Sequence, residues 1–138
     1  MKVIKAFRAK YGLDALDENV IAAVHLMNAH GVDVNAALDQ SSRSGNDQGI
    51  DAWYYSEAAQ ELFIYQSKLT ESRPQAIKGL DDLTRARIWL EKVIVEGSVD
   101  SVPSNNHCLF NLYTAVSGLR ADLRKINFVL LSLFDEMS

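Results

Sequence analysis

Gly45-Asn-Asp-Gln-Gly-Ile-Asp51-Ala-Trp-Tyr-Tyr55 and, after a five-residue connector, Glu61-Leu-Phe-Ile-Tyr-Gln66-Ser-Lys68 form the stretch that decides the reading of this chain. Residues 50–55 and 61–68 are rich in β-branched and aromatic types, which favour strands. The connector Ser56–Gln60 is too short for a crossover, so the two strands are predicted to pair as an antiparallel hairpin. Side chains alternate along a strand, which puts Gln66 and Lys68 on the face of Leu62 and Ile64, with Ser67 on the other. An ammonium on an apolar stripe is costly to bury unless it is paired, and Asp51 is the partner in reach.

Outward from the hairpin the chain reads as helices. Upstream, Val3, Ile4 and Phe7 predict a short amphipathic helix over 2–10 that ends before Gly12. Asp14 or Asp17 caps a second helix whose apolar face is Leu16, Val20, Ala23, Val24 and Met27, with Gly31 as the left-handed stop. Residues 34–48 turn polar, and 39–49 read as a loop. Downstream, Pro74 opens a long helix to about Val95 with the stripe Ala76, Leu80, Leu83, Leu90 and Ile94. A loop containing Pro103 leads to a helix over about 106–124, where Leu109, Leu112, Val116, Leu119 and Leu123 recur at helical spacing. The continuous apolar run Ile126–Phe134 reads as a strand covered on both faces. The order α-α-β-β-α-α-β predicts an α/β fold, a mixed sheet flanked by helices. Three strands make a small sheet, so residues 1–138 are expected to be the N-terminal domain of a longer protein.

Composition narrows the function classes. The 138 residues are 48% hydrophobic and 23% charged, as in an ordinary globular domain. No apolar run approaches the ~20 residues that span a bilayer, and the start has no secretory pattern, so no membrane partner is expected. The lone Cys108 excludes an intramolecular disulfide framework and a multi-cysteine zinc site, and the reducing cytoplasm is the expected compartment. A net charge of −4 argues against a protein whose main work is gripping phosphate backbones. It leaves room for a nuclease, whose metal site is itself acidic, with much of the DNA grip supplied by a further domain or partner.

A carboxylate, an amide oxygen and an ammonium at one point suit a hard cation beside a scissile phosphate. Asp51 would ligate Mg²⁺, which prefers oxygen, and the oxygen of Gln66 would add to the shell. Lys68 would orient the attacking water and neutralise phosphate charge. The bland alternative is a strand end with a solvated lysine.

The pattern Gly-x-Asp-x-Gly-Ile-Asp51, a turn, then Leu-x-Ile-x-Gln66-Ser-Lys68 resembles the PD-(D/E)XK, or restriction-endonuclease-like, nuclease superfamily. Its Gln-x-Lys ending is similar to the Mrr-like branch, and the wording of residues 49–68 resembles the N-terminal domain of abortive-infection phage-resistance (AIPR) proteins. The resemblance implies a three-layer nuclease fold, a Mg²⁺ (or Mn²⁺) cofactor, DNA as substrate and a role in phage defence. It makes Asp51 and Gln66 metal ligands and Lys68 the catalytic lysine. Ile50 stands where the family name has proline, and Gln66 replaces a carboxylate, leaving Asp51 as the single firm acidic ligand. Members of this type recruit a Glu from the first core helix, which makes Glu18 the candidate for both the catalytic set and the metal. Its alternative is a first-turn acid favoured by the helix dipole. Asp47 reads as a turn residue rather than a second ligand. Cutting both strands would call for a homodimer or two visits. The rival to an endonuclease is a nuclease-fold interaction module without catalysis.

Other residues carry less. Lys78, Arg85 and Lys92 share one side of the long helix and read as a solvated face. Trp89, close to that stripe, is a candidate exposed aromatic for another domain to cover. His25, His30 and His107 lack metal-ligand spacing and read as incidental, Cys108 reads as a core residue, and no phosphate-cradling glycine loop is present.

Overall fold

The computed structural model describes residues 17–41, 49–69, 73–95, 106–117 and 123–133, together with residues 5, 6, 9 and 10. Within these, the side chains of residues 17–19, 68–69, 73–77, 79, 94–95 and 132–133 fall outside the description. The elements are α1 (Asp17–His30), α2 (Val34–Asp39), β1 (Ala52–Ser56), β2 (Glu61–Leu69), α3 (Arg73–Leu90), α4 (His107–Val116) and β3 (Lys125–Leu133). A π-helical turn, Glu91–Val95, continues α3. The helix expected over 2–10 lies outside the described residues save for 5, 6, 9 and 10, which are helical.

The hairpin forms as the sequence predicts. β1 and β2 pair antiparallel, from Ala52 opposite Tyr65 to Ser56 opposite Glu61. The turn is closed by Ser56 Oγ, which accepts from the Ala59 amide at 3.3 Å. Gln60 takes the left-handed conformation there, with φ of 56°. β3 pairs with β2 in parallel, Glu61 opposite Lys125 through Leu69 opposite Leu133, so β2 is central in the order β1-β2-β3. A parallel neighbour needs a long crossover, and α3 and α4 supply it. The molecule is a mixed α/β domain.

Helices cover both faces of the sheet. Leu62, Ile64, Trp53 and Ile50 pack with Leu83, Ala86, Trp89, Leu90 and Val93 of the α3 region and with Cys108, Leu109, Leu112 and Val116 of α4. On the other face Ala52 and Tyr65 pack with Ala22, Ala23 and Leu26 of α1 and with Ala37 of α2. The first cluster is built mostly from large side chains, whereas the second is mostly alanine with Leu26 and Tyr65.

Five expectations are corrected. Residues 34–39, a polar stretch given no helix and with the loop read from Asp39, form α2, because Asp33 caps it by accepting from the Ala36 amide at 2.8 Å and Ala37 buries its methyl. Trp89, read as an exposed aromatic, is 4% exposed, because 86, 89 and 93 form the buried stripe of α3. Leu80, placed on that stripe, is 53% exposed instead. The helix read over 106–124 ends at Val116, where the Ser117 amide bonds to the Tyr113 carbonyl, and Leu123 and Arg124 are not helical. β3 is half-buried from Ile126 to Leu131 rather than covered on both faces, as suits a strand with one sheet neighbour. Lys78, Arg85 and Lys92 are exposed, as a solvated face requires.

Candidate functional site

The turn into β1 sets the position of Asp51. Gly49 has φ of +79°, and a Cβ on it would meet the Asp82 carbonyl oxygen of α3 at 2.1 Å. Only glycine lets the backbone approach the helix so closely. Two residues later Asp51 is buried, at 5% exposure. Its amide donates to the Tyr65 carbonyl at 2.8 Å, and its Oδ2 accepts from the Ser67 amide at 2.8 Å. The carboxylate thereby stands in for a backbone carbonyl just beyond the start of β1 and satisfies a buried donor of the central strand.

Gln66 is 6% exposed. Its Nε2 donates to Asp82 Oδ2 at 3.3 Å. Because an ionised carboxylate only accepts, this contact fixes which end of the amide is nitrogen. Among the described residues Oε1 is then left buried without a hydrogen-bond partner, as are Gln40 Oε1 and Ser67 Oγ. A buried orphan oxygen is uncommon and calls for a cause, such as an ion or a ligand. Asp82 Oδ1 also faces the exposed Arg85 Nη2 at 3.5 Å, a pair of little energetic weight.

Asp82 is the site residue that sequence reasoning missed. It stands four residues before Ala86 and seven before Trp89, in line with the buried stripe of α3. A carboxylate at the head of a buried stripe was the available signal, and the misplacement of Leu80 on that stripe hid it.

The remaining expected residues are placed by backbone only. Lys68 lies two positions after Gln66 on β2, opposite Ser132, and its side chain is outside the described residues. Glu18 is in the first turn of α1 and its side chain is likewise outside them, as is Asp47 entirely. Helix α1 runs antiparallel to β2, since His30 stacks on Tyr54 and lies by Phe63 while His25 meets Tyr65. Its first turn therefore lies toward the end of β2 that carries Gln66.

Comparison of the chain with protein-family models, with curated proteins and with solved structures finds no match. Among the described residues no three His, Cys, Asp or Glu side chains form a cation cage. A divalent ion here would rest on Asp51, on Gln66 Oε1 and on groups outside the described set. Oxygen donors of this kind suit Mg²⁺, which keeps several waters and takes few protein ligands.

The histidines are less incidental than their spacing implies. His30 Nε2 lies 2.6 Å from the Tyr65 hydroxyl, and its ring stacks on Tyr54 with centroids 4.0 Å apart. His25 meets the Tyr65 ring edge-on at 4.8 Å. Burial lowers the pKa of both histidines, and His25 lowers that of His30 further. Burial pushes the Tyr65 hydroxyl up to about 12. A neutral His30 accepting from a protonated Tyr65 is the state these shifts favour. His107 is exposed, and its Nε2 donates to the Leu38 carbonyl at 3.3 Å.

Proposed function

We propose that this chain is a metal-dependent DNA endonuclease domain of the restriction-endonuclease-like class, of the Gln-x-Lys type that its sequence resembles, acting in defence against foreign DNA. The observation that carries the reading is the buried oxygen of Gln66, which has no hydrogen-bond partner among the described residues, on the strand whose Ser67 amide is bound by the buried Asp51 carboxylate. In this reading Asp51 and Gln66 hold Mg²⁺ or Mn²⁺, and Glu18 at the start of α1 adds a carboxylate. The ion, when bound, supplies charge stabilisation at the phosphoryl oxygen and a more acidic water. Lys68 directs the attacking water in line with the scissile bond and offsets the charge that develops on the phosphate. Binding of DNA draws on a second copy of the chain or on a further C-terminal domain, in keeping with the net charge of −4.

A second reading, a nuclease-fold interaction module, has one specific observation in its favour. The Asp51 and Gln66 side chains both make hydrogen bonds that serve the fold, to the Ser67 amide and to Asp82. Cleavage of supercoiled plasmid with Mg²⁺ or Mn²⁺ separates the two. The endonuclease reading expects metal-dependent nicking that disappears in Lys68→Ala and Asp51→Ala. An inert wild type that also binds no metal by calorimetry leaves the interaction module.

A further inference from the structure

The acid that position 66 lacks stands one hydrogen bond behind it. Gln66 Nε2 donates to Asp82 Oδ2 at 3.3 Å, and Asp82 belongs to the helix against which the Gly49 turn is pressed. We propose that Asp82 is a positioning residue that holds the Gln66 amide with its nitrogen on α3 and its oxygen turned away, and that the two form an exchangeable acid–amide pair. The proposal rests on reading Asp51 and Gln66 as the cation-holding groups.

An amide side chain can turn over, and its two ends differ in chemistry though hardly in shape. A carboxylate partner accepts only, so it selects one orientation. A charge-assisted hydrogen bond is also stronger than a neutral one, and it polarises the amide so that Oε1 becomes a better donor of electrons to a cation. Arg85 Nη2 lies 3.5 Å from the other oxygen, Oδ1. The Asp82 backbone adds a second constraint. Its carbonyl occupies the space a Cβ on Gly49 would need, so the turn into Asp51 is indexed to the same helical residue. Both candidate ligands thereby take their position from one turn of α3. The missing carboxylate of the Gln-x-Lys pattern is thus displaced from strand to helix, where it acts through the amide.

The test is a double-variant cycle on the full chain at one fixed pH, read by thermal unfolding and by Mn²⁺ calorimetry. Gln66→Glu alone brings two carboxylates into contact and is expected to lower Tm by roughly 5 °C. Adding Asp82→Asn restores a donor against the acid and is expected to recover at least half of that loss. The same double variant should bind Mn²⁺ more tightly than the wild type, whereas Asp82→Ala should weaken binding by about tenfold, the usual scale for a residue that orients a ligand. Lys92→Ala, at an exposed position of the π-helical turn, is the control and should leave affinity unchanged. The proposal is overturned if the double variant is no more stable than Gln66→Glu, or if Asp82→Ala binds Mn²⁺ as the wild type does. A wild type that binds no Mn²⁺ while the stability cycle closes keeps the acid–amide pair and removes the cation site instead.

Discussion

The two faces of the β1–β2 hairpin solve the burial problem differently. Toward α3 and α4 the sheet presents Leu62, Ile64 and Trp53, and the polar groups Asp51 and Gln66 are gathered near the end of the strands. Toward α1 the contact is made by alanines at 22, 23, 37 and 52, with His25, His30, Tyr54 and Phe63 around the buried Tyr65. The first face draws its stability from large aliphatic volume. The second draws it from close approach and from stacked rings that stay neutral. Chemistry needs a charge held in a dry place, and the first face supplies one: the buried Asp51 carboxylate bound to the Ser67 amide, beside a Gln66 oxygen that has no partner among the described residues.

Ile64→Ala strikes the first face at its centre. It should cost about 4 kcal/mol, from lost burial and the cavity left behind, measured by denaturant unfolding. A cost under about 1 kcal/mol would mean the large-residue cluster does not dominate stability. Gly49→Ala should cost about 3 kcal/mol by the same measurement, since a methyl there meets backbone and the φ is left-handed. Tyr65→Phe on the second face should cost about 1 kcal/mol, the net worth of the hydroxyl bond to His30.

The second face should also govern how stability depends on pH. His25 and His30 have pKa values below 6.5 when folded, so the unfolded chain binds more protons in acid. Their contribution is present above 6.5 and is lost as pH falls through the lower folded values. Tyr65 has the opposite sign: raised from 10.0 to about 12, it contributes fully below 10 and is lost as pH rises toward 12. Thermal unfolding from pH 5 to 11 should therefore show both slopes. His25→Gln with His30→Gln should flatten the acid slope, and Tyr65→Phe should flatten the alkaline one. The smallest effect belongs to Leu80→Gln, within about 0.5 kcal/mol, because that side chain already faces water.

The hairpin was legible because its signals are local: β-branched and aromatic runs, a short connector, and a two-residue period that sets Gln66 and Lys68 on one face. The crossover to a parallel β3 followed from element order. Helix periodicity was read with less success on α3, where a plausible leucine stripe through Leu80 competed with the true one through Ala86, Trp89 and Val93. Short α2 was hidden because a six-residue helix is held by its Asp33 cap and by one buried alanine, neither of which stands out in a polar segment.

By itself the sequence determined the strand pair, the mixed α/β class and the placing of Asp51 beside Gln66, since each depends on near neighbours along the chain. Only the tertiary structure decided that Asp82 orients the Gln66 amide, that Gly49 seats against α3, and that His30 meets Tyr65. Those contacts join residues 16, 33 and 35 positions apart, and which of many distant partners meets a given side chain is set by how helices pack on the sheet.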